Sequence, residues 1–208
     1  NPTSTAVARK DMRKILDCAL QYGISVMVDE TYEEFTPEGS KISSIPLTNN
    51  YNNLIVLRGI SKFFAAPGLR LGYAVTGNPD LLKYINTKKN PWTINSLAEI
   101  AGCIMFSDKD YINKTKALIT GERQRMYDTL SSWKTVKVYP SCTNFLLVRI
   151  LREDVTSDMV FDHCIRKGLM IRDCSTFPFL DSSYIRFCVM SPEKNNELLE
   201  AFREILGE

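Results

Sequence analysis

Ser61-Lys62-Phe63-Phe64-Ala65-Ala66-Pro67-Gly68-Leu69-Arg70-Leu71 follows the apolar stretch Leu54-Ile55-Val56-Leu57, so that a lysine falls just beyond the end of a strand. Arg70 stands eight positions after Lys62, across a Pro-Gly turn. An amine in that place can form an imine with an aldehyde, while the Ser61 hydroxyl and the Arg70 guanidinium supply donors for a phosphate anion. An imine-forming amine beside phosphate donors points to pyridoxal phosphate. An isolated lysine is most often a solvated surface charge; the strand before Lys62 and the turn after it argue for more.

Toward the N-terminus, residues 7–22 carry Met12, Ile15, Leu16 and Ala19 at a helical spacing that ends at Gly23. Ile24-Ser25-Val26-Met27-Val28 then reads as a buried strand delivering Asp29-Glu30 at its carboxyl end. A Pro/Gly/Ser-rich connection over residues 37–46 leads to the strand at 54–57, and Leu71-Gly72-Tyr73-Ala74-Val75 reads as a third strand. Helices alternating with short apolar strands predict an α/β domain with a mainly parallel sheet. Asn78-Pro79 starts a helix to about Lys88, and a long helical tract begins near Ser96, breaks near Ser107-Asp108 and resumes through Trp133.

Beyond that tract the pattern changes. Strands are expected at 136–139, 144–150, 169–174 and 184–190, with helices over 157–167 and from Pro192. The sequence thus predicts a partial large α/β domain over 1–114 and a smaller α+β domain over 115–208. A doubly wound sheet with only three strands is thin, so further strands are expected in sequence preceding Asn1.

Composition narrows the function classes. A net charge of +2 over 208 residues comes from a nearly even mixture of acids and bases, with no basic stripe for nucleic acid or anionic membrane. Six scattered cysteines without a Cys-x-x-Cys pattern and a single histidine, His163, indicate neither a zinc site nor a disulfide framework. No metal is expected, and a soluble protein of the reducing cytoplasm fits best. The apolar run ending in Asp29-Glu30 also has the look of the acidic motif of P-loop ATPases, but no Gly-x-x-x-x-Gly-Lys-Ser/Thr accompanies it. A non-catalytic fragment that keeps the fold as a folding or dimerisation unit is the third class.

Four motifs in order, Asn1-Pro2-Thr3, Asp29-Glu30-Thr31-Tyr32, Ser61-Lys62 with Pro67-Gly68-Leu69-Arg70-Leu71-Gly72-Tyr73, and Tyr184-Ile185-Arg186, resemble the signature of the class I/II aminotransferases, the fold-type I pyridoxal-phosphate enzymes. Within that family, Pro91-Trp92-Thr93-Ile94-Asn95-Ser96-Leu97-Ala98 and Leu169-Met170-Ile171-Arg172-Asp173-Cys174-Ser175 are similar to the threonine-phosphate decarboxylases of cobalamin synthesis and to the histidinol-phosphate aminotransferases. The resemblance covers the whole chain but only the C-terminal three-fifths or so of a family member. It implies a PLP-dependent transferase-like fold, a homodimer, and a small phosphorylated amino acid or amine as substrate.

The resemblance also assigns roles. Lys62 would hold the cofactor aldehyde as a Schiff base and then move a proton at the substrate Cα, which requires desolvation and nearby cations such as Arg70. Asp29 would pair with the protonated ring nitrogen; two unit charges about 4 Å apart at an effective dielectric near 20 interact by roughly 4 kcal/mol. Tyr32 and Asn1 would be partners of the phenolic oxygen, and Ser61 and Arg70 of the phosphate. Arg186, costly in an apolar strand unless paired, would fork onto the substrate carboxylate. Arg172 is a candidate for the substrate's distal phosphate, with ion pairing to Asp173 or Asp181 as the alternative. Asn144 matches a position near the substrate.

Two departures qualify the match. Ser4 stands where the family motif has glycine. The ring that stacks on the cofactor, the glycine-rich phosphate loop and an N-terminal arm are all expected in preceding sequence, so the chain is read as the C-terminal part of a full-length member. Decarboxylation and transamination differ in which Cα bond stands perpendicular to the cofactor ring. The sequence leans toward decarboxylase-like features, with aminotransferase activity as the alternative.

Overall fold

A computed structural model describes residues 1–37 and 39–208; Glu38, inside the 37–46 connection, lies outside the described residues. The chain divides into two compact units, Ala6–Lys114 and Thr115–Glu208 together with Asn1–Thr5. The first five residues, placed with the large domain from sequence, therefore belong with the second unit.

In Ala6–Lys114, helix α1 (Arg9–Gln21) buries Met12, Leu16 and Ala19 and is followed by Gly23 at φ +64°, a left-handed turn that suits glycine. Strand β1 (Val26–Asp29) pairs in parallel with β2 (Leu54–Gly59), from Val26 opposite Leu54 to Asp29 opposite Leu57. The connection between them carries two 3-10 turns and the one-turn helix α2 (Gly39–Ile42). Leu54 and Val56 pack with Met12, Leu16 and Leu47 as the core of this layer. Strand β3 (Gly72–Thr76) pairs antiparallel with β2, because the short 60–71 connection holds only the 3-10 turn Pro67–Leu69 and no crossover helix. The sheet expected to be mainly parallel therefore has one parallel and one antiparallel pairing in its three strands.

Asn78 caps helix α3 (Pro79–Lys88) by accepting from the Asp80 and Leu81 N–H groups, with Pro79 in the first turn. The next tract splits as expected into α4 (Ser96–Ser107) and α5 (Lys109–Ser131). Asp108 ends one helix and caps the other, accepting from the Tyr111 N–H at 2.9 Å.

In the second unit the sheet order is β4-β5-β7-β6, antiparallel throughout, from β4 (Val136–Val138), β5 (Phe145–Ile150), β6 (Arg172–Asp173) and β7 (Tyr184–Cys188). Helices α6 (Ser157–Arg166) and α7 (Pro192–Leu206) supply Val160, Leu198 and Phe202 to a core with Met126, Leu130, Leu146, Val148 and Ile185. The strand expected over 169–174 shrinks to two residues. The Leu169 N–H donates to Cys164 O in the turn that closes α6, with Gly168 at φ +74°, so this backbone serves the helix end rather than the sheet.

Candidate functional site

Lys62 is presented by its neighbours. Ile60 and Phe63, 1% and 2% exposed, are buried on either side of Ser61-Lys62. The Phe63 ring lies 5.2 Å from both Phe35 and Phe64 and edge-on to Tyr111, whose hydroxyl donates to the Phe63 carbonyl at 2.9 Å. Burying such a ring is worth about 1.5–3 kcal/mol, enough to fix the backbone from which Lys62 projects. The lysine itself is exposed, and its ammonium makes no hydrogen bond or ion pair among the described residues, so the desolvated setting expected from sequence is not seen here. Tyr111, which stabilises this loop, was not singled out from sequence.

Asp29 ends β1, one strand over from Leu57. Its Oδ1 accepts from the Thr31 N–H at 2.9 Å and from the Thr31 hydroxyl, an Asx turn that leaves Oδ2 without a partner among the described residues. The adjacent Glu30 turns inward to Arg58, whose guanidinium also pairs with Glu33 and Glu34 at 2.7 and 3.0 Å. Burial pulls the Arg58 guanidinium down, but Glu33, Glu34 and Glu30 outweigh it and raise it. This buried cluster pins the Asp29-to-Tyr32 turn from below. Tyr32 is half-buried, its ring 6.4 Å from Phe35.

Ser61 and Arg70 come together in one cavity of about 220 Å³, which Thr31, Gly59, Pro67, Leu71 and Gly72 complete. Arg70 adopts φ +56°, ψ +42°, a left-handed conformation that costs a bulky residue about 1–3 kcal/mol and marks a backbone held by its surroundings. Its Nη1 donates to Pro67 O at 3.0 Å, and the Asn95 side chain, which caps α4, donates to Leu69 O at 3.2 Å. A Cβ at Gly102 of α4 would stand 2.7 Å from Leu71 Cδ2, so glycine there lets the helix close on the turn. Among the described residues no carboxylate lines this cavity; the Ser61 hydroxyl and the Arg70 guanidinium, both among its walls, form a donor set suited to a phosphate monoester, while the hydroxyl of Thr31, also among the walls, donates to Asp29. Lys62, Asp29 and Tyr32 are not among its walls.

In the second unit Arg186 of β7 finds the partner an arginine in an apolar strand needs: Nη1 donates to Asn1 Oδ1, and the guanidinium carbon lies 4.8 Å from the Phe145 ring centre. Arg172 of β6 is its direct cross-strand neighbour. The two arginines line one cavity of about 510 Å³ with Asp158, Asp173, Phe161, Thr176 and Cys188, and the Phe177 ring lies 5.4 and 5.7 Å from the two guanidiniums. The ion pair considered for Arg172 does not form. Its Nη2 donates to the Thr176 hydroxyl at 3.1 Å, whereas Asp173 is held by Ser157 and Ser175 and Asp181 by Ser183. Burial pushes the Asp173 carboxyl up, but the Ser175 N–H, the two hydroxyls and the nearby Arg172 outweigh it and hold it below the usual carboxylate range. Neither arginine makes an ion pair among the described residues, and like charges directly opposite across a sheet are destabilising unless an anion joins them. Asn144 is not among the walls of this cavity. Its carbonyl accepts from Val189 N–H at 2.7 Å, while its buried Oδ1 has no partner among the described residues. The aromatic contacts of Phe145 and Phe177 were missed from sequence, where only their position near an arginine strand could have signalled them.

Among the described residues no group of His, Cys, Asp and Glu could hold a metal ion, and no helix is long and apolar enough to cross a membrane.

The model of the aminotransferase class I and II family matches residues 1–202, and the chain belongs to that family. It is 38% identical over 209 residues to the histidinol-phosphate aminotransferase of Thermoanaerobacter pseudethanolicus, covering 99% of this chain and 55% of that protein. It is 32% identical over 206 residues to the threonine-phosphate decarboxylase of Salmonella typhimurium, covering 99% of this chain and 55% of that protein. The crystal structure of histidinol-phosphate aminotransferase from Clostridium acetobutylicum superposes with a TM-score of 0.92 at 31% identity, over 100% of this chain and 61% of that one. The chain thus spans just over half the length of the curated relatives it matches.

Proposed function

We propose that these residues serve a pyridoxal 5'-phosphate enzyme that acts on a small phosphorylated amino acid or amine. The observation that carries the substrate class is the Arg172–Arg186 pair: two guanidiniums opposite each other on adjacent strands, neither in an ion pair among the described residues, at one cavity whose walls also include Asp158 and Asp173, the latter already held by Ser157 and Ser175. Such a pair is balanced by a ligand with two anionic groups, and an α-carboxylate with a phosphate ester meets that need. Arg186, held by Asn1 and Phe145, takes the carboxylate; Arg172, oriented by Thr176, takes the phosphate.

When bound, the cofactor supplies an electron sink for the bond broken at Cα. Ser61 and Arg70 hold its phosphate, and Asp29, through the oxygen that Thr31 leaves free, keeps its ring nitrogen protonated. By the family resemblance, Tyr32 and the Asn1 amide, whose oxygen is used by Arg186, would each be a partner of its phenolic oxygen. Lys62 attaches it and, once released, accepts or returns the proton at Cα. The donor set of the 220 Å³ cavity and the family membership support this assignment.

The chain is similar to both a threonine-phosphate decarboxylase and histidinol-phosphate aminotransferases, and loss of carbon dioxide, as the decarboxylase-like motifs suggest, is the first reading. The second reading, transamination, rests on the guanidinium of Arg186 being fixed by Asn1 and Phe145, which would hold a substrate carboxylate in one orientation and so leave loss of the Cα proton as the alternative to loss of the carboxylate. The family resemblance adds a homodimer, and six free cysteines suit a reducing cytoplasm. The protein is incubated with cofactor and threonine phosphate, or with histidinol phosphate and 2-oxoglutarate, while carbon dioxide and glutamate are followed. Carbon dioxide is expected, glutamate would establish the transaminase alternative, and neither product would refute the catalytic proposal in favour of a non-catalytic fragment.

A further inference from the structure

Ser4 holds a conformation and an environment that its residue type does not explain by packing alone. Its φ of +59° lies where a Cβ is disfavoured and glycine is at ease, yet the residue is a serine and only 2% exposed. Its hydroxyl stands 2.6 Å from Ser141 Oγ, is bonded to Thr143 Oγ1, faces the Phe145 carbonyl at 3.4 Å and accepts from the Thr143 N–H at 3.3 Å. The Ser4 carbonyl accepts from the Cys142 N–H at 2.9 Å. The backbone turn could be made by glycine; only the hydroxyl makes the other four contacts.

Those contacts tie the N-terminal segment to the loop that enters β5. On one side of the clasp is Asn1, whose Oδ1 accepts from Arg186. On the other is Phe145, whose ring lies under the same guanidinium. Buried Arg123 braces the loop from α5 by donating to Thr143 O at 2.8 Å. The two groups that hold Arg186 therefore come from two chain segments about 140 residues apart, and Ser4 joins them.

We infer that Ser4 is a positioning residue for Arg186: its hydroxyl locks Asn1 and Phe145 into one frame that sets the guanidinium for an anionic substrate group. The inference rests on the carboxylate role proposed for Arg186. Ser4→Gly and Ser4→Ala separate backbone from hydroxyl, since glycine relieves the left-handed turn while both remove the oxygen. The direct readout, on the full chain with cofactor, is the rate at which phenylglyoxal modifies Arg186, mapped by peptide mass spectrometry with Arg172 as the internal reference.

Loss of the clasp is expected to speed Arg186 modification about threefold or more in both variants, as the loss of one or two hydrogen bonds allows. KM for threonine phosphate should rise about five- to tenfold with kcat changed less than about twofold, the pattern of lost binding rather than lost chemistry. Melting temperature should favour Ser4→Gly over Ser4→Ala, and borohydride should still fix a pyridoxyl group on Lys62 in both. An Arg186 modification rate unchanged in Ser4→Gly would overturn the inference, whether or not Ser4→Ala folds. Failure of the unsubstituted protein to be trapped at Lys62 would instead count against the cofactor proposal, and the modification rates would still decide the role of Ser4.

Discussion

The Lys62 region and the Arg186 region present charged groups in opposite ways. Around Lys62 the backbone is anchored, by Ile60 and Phe63 in the core and by the Tyr111 hydroxyl on the Phe63 carbonyl, while the lysine itself is exposed. Around Arg186 the side chain is anchored, by Asn1 and by the Phe145 and Phe177 rings. A nucleophilic amine that must attach to a cofactor and later carry a proton needs freedom at its end and rigidity at its base. A guanidinium that must orient a carboxylate needs the reverse, because angular freedom in the fork becomes angular freedom in the substrate. If the proposed roles hold, the difference teaches where stability and function separate: beside Lys62 they would reside in different residues, whereas beside Arg186 the same contacts would serve both.

The sharpest way to break this comparison is Lys62→Ala. Turnover should fall by about 10²–10⁴-fold or more, as for loss of a proton-transferring group, while the midpoint of denaturation moves by less than about 0.5 kcal/mol, as for an exposed position. A large stability loss would mean that the lysine end is not free. Phe63→Ala should do the opposite, costing about 3–5 kcal/mol in chemical denaturation through the cavity it leaves among Phe35, Phe64 and Tyr111. Arg186→Lys keeps the charge but loses the fork, the Asn1 bond and the ring contact. It is expected to weaken substrate binding by about 1.5–3 kcal/mol, read as KM, and to lower the melting temperature as well.

The smallest effect lies away from both regions. The Arg125 guanidinium first, and the Asn195 amide with it, hold the Glu122 carboxyl below the ordinary glutamate value of 4.5 against the opposing effect of burial. A depressed folded value means that the stabilisation is complete above the unfolded value and is lost as pH falls through the folded one. Glu122→Gln should therefore flatten the decline in melting temperature between about pH 5 and pH 3. With Arg125 partly exposed, the change should be under about 1 kcal/mol.

Much of this fold could be read from local signals. Met12, Leu16 and Ala19 mark α1, Asn78-Pro79 opens α3, and Asp108 divides α4 from α5, because periodicity and capping act over a few residues. The antiparallel return of β3 and the shortening of the 169–174 strand were not legible, since partner choice and a helix-end hydrogen bond are decided by tertiary context. For the candidate site, the motifs predicted that Ser61 and Arg70 would share one phosphate-binding neighbourhood and that Arg186 would need a partner. They did not disclose the Arg58 cluster beneath Asp29, the aromatic faces against Arg186 or the Ser4 clasp. Each of these joins residues that no local spacing connects.

The central claim is that Lys62 is the free amine at the end of a rigid loop that receives the cofactor. Incubating the protein with pyridoxal 5'-phosphate, reducing with borohydride and mapping the pyridoxyl group by mass spectrometry tests it most directly. A single modified peptide carrying the group on Lys62, absent from Lys62→Ala and lost in Phe63→Ala once its loop is released, is the predicted result. A pyridoxyl group on another lysine, or equal labelling of Lys62 in a denatured control, would contradict it.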